Sequence, residues 1–373
     1  MKIQVNTSVL VKAINDVTKA VSNNASTPIL TGVKIETTDS EIKLFGTDTN
    51  ISIERIIPLS IKEETVATIF KSGSIVLSGK YLSEMISKLP KGEVTIEVGD
   101  KLQTKITAGK SSFKLNGFDA EEFPKFPTLT EGTNFQMSVT DIKNIVNQTA
   151  FAVATSETRP ILKGLNFIQN QEGLTVYATD SHRLSFKKLN VAGEDKNVVV
   201  PADSLKELVK ILEDPKDVAE LLVSDNQVLF RLPGIKFYSR LLDGNYPDVS
   251  RLIPVSFSTT LKVDIKEFIS ALERCTILAK EGKNHVVKME TKENSITLTS
   301  DNKEVGVIEE EVVSTIEGEE LKISFSAKFA KDALKTFEGK EVHVKFSGAM
   351  RPFILQAVDD ENLIQLILPV RTY

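Results

Sequence analysis

The residues with the most obvious chemical potential stand side by side. Asp180, Ser181 and His182 fall within "ATDSHRLSF", residues 178–186. An acid, a hydroxyl and an imidazole are the parts of a hydrolase, but a triad needs the three side chains to converge in space. On an extended chain, neighbouring side chains point to opposite faces, which directs Ser181 away from both Asp180 and His182. No Gly-x-Ser-x-Gly elbow surrounds the serine. "GSIVLSGKY" (73–81) imitates a phosphate loop, yet five residues separate its glycines instead of four, and Tyr81 cannot supply the magnesium-binding hydroxyl. His182, His285 and His343 lie far apart without metal-ligand spacing, and one cysteine, Cys275, cannot complete a zinc site. Asp359, Asp360 and Glu361 read more simply as an acidic turn between strands. No catalytic residue, metal or cofactor is expected.

What must position these residues is a repeated unit. "TPILTGVKIETTDSEIKLFGTD" (27–48) matches "RPILKGLNFIQNQEGLTVYATD" (159–180), with one offset kept from end to end, and "HVVKMETKENSITLTSD" (285–301) is a fainter third copy. Each copy follows a helical pattern: 8–21, 139–153 and 263–279. Apolar residues such as Val139, Ile142, Ile145 and Val146 recur there at the spacing of one buried helix face. A second helix follows each copy, over 78–89, 201–212 and 326–337, opening with Ser or Pro as helix starts do. Alternating runs such as "VTIEVGD", "QTKITAG" and "VHVKF" read as strands. Pro-containing joints predict domains over 1–128, 129–254 and 255–373. The fold class is α+β: three repeated domains, each with two helices packed on antiparallel sheet. A solenoid has a far shorter period.

Composition sets the bounds. The chain has 373 residues, is 41% hydrophobic and carries a net charge of −5. No apolar tract approaches the length that spans a bilayer, and the opening residues lack the block of a signal peptide. With a single cysteine, a cytoplasmic location and no membrane partner are expected. The acidic balance does not exclude nucleic acid, because binding answers to local potential. The helical segments are together slightly basic, and the remainder carries the negative balance.

"PIL" near residue 28, "TDSHRL" in the middle copy, "LLDGNYPD" at its end and the C-terminal "LILPVR" lead to a family. With the triplication, they make the whole chain resemble the bacterial sliding clamp, the β subunit of DNA polymerase III. The resemblance implies the DNA clamp fold and two chains joined head to tail as a homodimer, a six-domain ring around double-stranded DNA with helices lining the hole. Contact with DNA would be sequence-independent, and the protein a processivity factor in DNA replication, not an enzyme. Expected partners are the DNA polymerase III catalytic subunit, the clamp loader, and other polymerases and repair proteins.

The same resemblance assigns residues. A pocket for partner peptides would take Leu162, Thr179, His182, Arg183, Leu184, Pro247 and Leu252 from the middle domain. The last domain would add Met350, Pro352, Leu366, Leu368, Pro369, Val370 and Arg371. Candidates to face DNA are Lys12, Lys19, Lys80, Arg159, Lys206, Lys210, Lys328, Lys331 and Lys335. The dimer contact would set Phe113 and Leu115 against Ile277 and Leu278 of the second chain, the alternative being that both pairs lie in their own domain cores. Several positions depart from the family pattern. Ser181 stands where glycine is frequent, Leu368 and Val370 replace methionines, Pro160-Ile161 replaces a pair of tyrosines near DNA, and Thr372 and Tyr373 extend the tail. Two other readings are a hydrolase with a cryptic carboxylate or Ser/His site, and a triplicated protein-binding scaffold that never meets DNA.

Overall fold

The computed structural model describes residues 1–22, 27–279, 285–302 and 304–371. Thr372 and Tyr373, and the glycosylation-like triplet Asn24-Ala25-Ser26, lie outside the described residues. Among the described residues, six α-helices fall where the apolar spacing predicts them: α1 (Thr7–Val17), α2 (Gly79–Ile86), α3 (Val139–Thr149), α4 (Ala202–Ile211), α5 (Ile265–Ala279) and α6 (Ala327–Leu334). Side-chain caps start four of them, with Ser138 Oγ accepting from the Asp141 N–H at 3.0 Å in α3 and Asp264 Oδ1 from the Lys266 and Glu267 N–H groups at 2.9 and 3.0 Å in α5. The Asn6 side chain accepts from the Ser8 N–H at 3.0 Å, and Ser326 Oγ accepts from the Phe329 N–H at 3.4 Å. In α1 the stripe Leu10, Ala13, Ile14 and Val17 is fully buried, as an amphipathic face should be.

The chain divides into two compact units, Met1–Ile142 with Asp203–Leu241, and Lys143–Ala202 with Leu242–Tyr373. Every strand pairing among the described residues is antiparallel. In the first unit a five-stranded and an eight-stranded sheet form. The eight-stranded sheet is closed by a long-range pairing of Ile235–Arg240 with Ile51–Pro58, which sets Phe237 opposite Ile53 and Tyr238 opposite Ser52. In the second unit a twelve-stranded sheet forms by the equivalent step, with Arg183–Leu189 paired to Leu363–Ile367. Strands of consecutive repeats thus join edge to edge.

The repeats pack alike but not identically. A Cβ added at Gly46 would meet the Val17 carbonyl oxygen at 2.2 Å, so the end of α1 rests directly on strand Glu41–Thr47. The second unit has a large aromatic core, with Phe346 and Phe353 stacked at 5.0 Å and Phe325 tilted against Phe353 at 5.3 Å. All three are buried, each worth about 2–3 kcal/mol of apolar transfer.

One ionisable group sits unfavourably in this fold. Asp16 of α1 is 6% exposed, with Arg55 Nε at 3.3 Å from Oδ2. Burial outweighs the Arg55 charge and lifts the carboxyl to about 6. A raised acid pKa favours the protonated native state. Native stability therefore falls as pH climbs from about 4, where the unfolded carboxyl ionises, through about 6. Asp16→Asn should flatten that part of the stability–pH curve in urea denaturation, and should be at least as stable as the parent at neutral pH. A variant that kept the parental slope would show that Arg55 holds the carboxylate charged.

Candidate functional site

The stretch that opened the chemistry is a hairpin turn, not an extended segment, which corrects the geometry expected from sequence. Thr179 Oγ1 donates to the Arg183 carbonyl at 2.6 Å and accepts from the Ser181 N–H at 3.1 Å. Asp180 Oδ1 accepts from the N–H groups of His182 (2.9 Å) and Arg183 (3.0 Å). The aspartate is spent on folding the turn and cannot orient an imidazole. Ser181 has φ +76°, a left-handed conformation that glycine adopts without strain. Its exposed hydroxyl accepts from Arg159 Nη1 at 3.4 Å.

Arg183 is the structural centre. Its guanidinium carbon lies 4.5 Å from the Phe329 ring centroid and 5.1 Å from that of Phe151. Nε pairs with Asp180 Oδ2 at 3.0 Å and Nη1 with Asp332 Oδ2 at 2.9 Å. The side chain is 11% exposed, so these charges hold the turn against α6. Sequence reasoning placed Arg183 in a pocket wall but missed Phe151, Phe329 and Asp332. The signal was available for two of them, since Phe329 and Asp332 are three apart on one helix and so share a face.

The tail is pinned on both sides. Leu368 N–H donates to the His182 carbonyl at 3.0 Å, and Val370 N–H to the Ser324 carbonyl at 2.7 Å. Strand pairing sets Leu366 opposite Leu184, and both join Tyr177, Val249 and Ile354 in one apolar cluster, with Leu368 packed on its edge. The Tyr246 hydroxyl beside them is pushed well above its usual range by burial. Leu162, Thr179, Leu184 and Leu366 are buried, while His182, Pro247, Leu252, Met350 and Arg371 are exposed and Pro352, Pro369 and Val370 half-buried. Leu162, His182 and Arg183 line a cavity of about 480 Å³ with Lys328 and Phe329. Met350, Val370 and Arg371 line a second of similar size.

The first repeat carries the same turn. Thr47 Oγ1 donates to the Ile51 carbonyl at 2.9 Å, Asp48 Oδ1 accepts from Asn50 and Ile51 N–H groups at 2.8 Å, and Thr49 has φ +77°. Arg240 N–H donates to the Asn50 carbonyl at 2.9 Å, as Leu368 does to His182. The cavity there is about 230 Å³, with Asn50, Ser52, Gln227 and Arg240 on its walls beside Pro124, Phe126, Pro127 and Tyr238. Where the middle repeat offers His182, Leu184 and Leu368, the first offers Asn50, Ser52 and Arg240.

The basic candidates fall into two groups. Lys12 pairs with Glu213, Lys206 with Asp203 at 3.1 Å, Lys210 with Glu207 at 2.6 Å and Lys331 with Glu273 at 3.6 Å. Lys19, Lys80, Lys328, Lys335 and Arg159 are exposed, without an ion pair among the described residues. Phe113 and Leu115 lie half-buried on Ser111–Asn116, the outermost strand of the five-stranded sheet. Ile277 is 63% exposed near the end of α5, which excludes a core position for it, and Leu278 is half-buried. Strand Gly306–Gly318 pairs with Ser295–Asn302 through residue 313 and with Thr259–Asp264 only from residue 314. Its first half therefore keeps one open edge among the described residues, carrying Glu309, Glu310 and Glu311 between exposed Val307 and Val313. That acidic run was not singled out from sequence. Cys275 is buried, its thiol pushed up to about 11 by burial.

Arg183→Ala should leave Asp180 and Asp332 unpaired and cost about 2–4 kcal/mol in urea denaturation of the whole chain. That is below the full figure for a buried pair, because Asp332 keeps some solvent. Arg183→Lys should recover only part of the loss, since an ammonium cannot reproduce the fork or the ring stacking. Full recovery by lysine would show that charge alone matters.

Comparison with known proteins gives matches along the entire chain. Profiles of the DNA polymerase III beta subunit match at residues 1–127 (N-terminal domain), 136–248 (central domain) and 250–371 (C-terminal domain). The chain is 47% identical to the beta sliding clamp of Bacillus subtilis over 378 residues and 42% identical to that of Staphylococcus aureus over 376, covering 100% of each chain. Among solved structures it superposes on the DNA polymerase sliding clamp of Bacillus subtilis with TM-score 0.96 at 46% identity. On the DNA polymerase III beta chain of Streptococcus pneumoniae the values are 0.95 and 37%, each match covering 100% of both chains.

Proposed function

The chain belongs to the DNA polymerase III beta subunit family, the beta sliding clamps, and from that footing we propose how its residues do the work. It is a DNA sliding clamp and not an enzyme. Two copies close head to tail around duplex DNA in the bacterial cytoplasm, and the ring tethers the replicative polymerase. The domains run over 1–128, 129–254 and 255–373. Neither a hydrolase nor a scaffold remote from DNA is favoured, and the commitment of Asp180 to its own turn argues independently against the hydrolase.

The observation that carries ring closure is a pair of open strand edges with opposite character. One is Ser111–Asn116, with Phe113 and Leu115 half-buried and Lys114 opposite Lys105 on the neighbouring strand. The other is the acidic half of Gly306–Gly318, beside exposed Ile277. An open edge is a template for another strand, and complementary charge fixes which edge meets which. A heterologous contact of this kind closes into a ring when its rotation permits.

Docking uses the groove around Leu184, Leu366 and Leu368. Its exposed rim, Pro247, Leu252, Met350 and Arg371, receives aliphatic or aromatic anchors of partner segments from the polymerase, the clamp loader, and other polymerases and repair proteins. DNA is held by weak, salt-screened attraction to phosphates. Exposed Lys19, Lys80, Lys328, Lys335 and Arg159 are the stronger candidates. Lys12, Lys206, Lys210 and Lys331 contribute less while their acidic neighbours hold them.

Two variants test separate parts. Ile277→Ala with Leu278→Ala removes apolar contact worth about 2–5 kcal/mol per residue if buried in the dimer, and should give a folded monomer in sedimentation. A dimer of parental affinity would refute the assignment. Deleting residues 368–373 should leave a folded dimer that binds a labelled polymerase-tail peptide about thirtyfold or more weakly in fluorescence anisotropy. Unchanged affinity would refute the groove.

A further inference from the structure

The outward face of the last repeat's sheet is graded in charge, and its basic end adjoins the groove. Strand register sets two rows across it. In one, Glu309 stands opposite Thr299, Thr299 opposite Lys288, and Lys288 opposite Ser324, whose carbonyl accepts from the Val370 N–H at 2.7 Å. In the next, Glu311 faces Thr297, Thr297 faces Glu290, and Glu290 faces Lys322. Acids gather on strand Gly306–Gly318 and cations gather beside the tail. There a cavity of about 480 Å³ is bounded by Lys288, Glu290, Lys322, Met350, Val370 and Arg371, three cations against one acid. Lys322 is engaged by Glu290, whereas Lys288 and Arg371 have no ion pair among the described residues.

We propose that this cavity is an annex of the docking groove that takes the acidic residues flanking a docked partner segment. The inference rests on the groove reading, because Met350, Val370 and Arg371 border both. Continuity supports it: a chain leaving the groove past Val370 meets strand Lys322–Ser326 first and Lys288 on the strand paired beyond it. Charge selects the occupant. Two carboxylates match the excess of Lys288, Lys322 and Arg371 over Glu290, while a long polyanion such as duplex DNA would extend onto Glu309 and Glu311 on the same face. The annex adds selectivity among partners that share the same apolar anchors. It acts mostly on association rate, as rim charges do.

The test compares labelled peptides with one apolar core and acidic, neutral or basic flanks, placed on either end of the core, against the intact protein. At about 0.1 M salt the acidic flank on one end should bind about three- to tenfold more tightly than the neutral one, as two exposed pairs imply. That advantage should vanish near 1 M salt, where screening reaches about 3 Å. Lys288→Gln with Lys322→Gln should remove the preference, and Lys288→Glu with Lys322→Glu should invert it toward the basic flank, with neutral-peptide affinity unchanged in both. Equal binding of acidic and neutral flanks at low salt, or a preference that survives charge reversal, overturns the annex alone. Failure of even the neutral peptide to bind overturns the groove, and the annex with it.

Discussion

Antiparallel pairing of Arg183–Leu189 with Leu363–Ile367 is the constraint on which the site depends. It welds strands far apart in sequence into one sheet and sets Leu366 beside Leu184. It also carries the tail onward to meet His182 and Ser324 through main-chain bonds. A slip of one residue would turn every side chain of the last strand to the other face. The buried partners of Leu366 and Ile367 make that slip expensive. The tail is therefore held by ladder and core together, and the exposed residues around it project from a rigid support.

Duplication explains why the first and middle repeats share one turn, and divergence explains why the side chains around it differ. The Thr-Asp turn, its left-handed third residue and the main-chain bond from the incoming strand recur in the first and middle repeats. The turn is inherited architecture. What hangs on it differs: leucines and a histidine in the middle copy, a serine, an asparagine and an arginine in the first, beside Phe126 and Tyr238. Arg183 is a further specialisation, because its counterpart in the first repeat is Ile51, which can form neither the ion pairs nor the ring contacts that brace the middle turn against α6.

Local features were legible in the sequence, and long-range ones were not. All six helices follow from apolar spacing, and the repeats follow from "PIL" and the closing Thr-Asp. Edge-to-edge joining of repeats left no local mark, since a strand reads the same whether its neighbour is near or far in the chain. The two compact units consequently cut through the middle repeat instead of falling between repeats. Residues 180–182 read as extended from sequence, because a turn there needs a non-glycine residue at φ +76°, which is uncommon. The frequency of glycine at that position in the family was the available clue. Which lysines are paired left no local mark either: Lys12 meets Glu213, two hundred residues away in sequence and invisible to any helix-face count.

The central claim is that DNA is held by encirclement, with individual contacts weak. Attraction to phosphates fades steeply as salt rises, whereas a closed ring cannot leave sideways at any ionic strength. The direct measurement is retention of the loaded protein on a nicked circular duplex near 1 M salt, where charges are screened within about 3 Å, before and after the circle is linearised. Encirclement predicts that the protein stays on the circle and runs off once the DNA has ends. Equal loss from circular and linear DNA would contradict it.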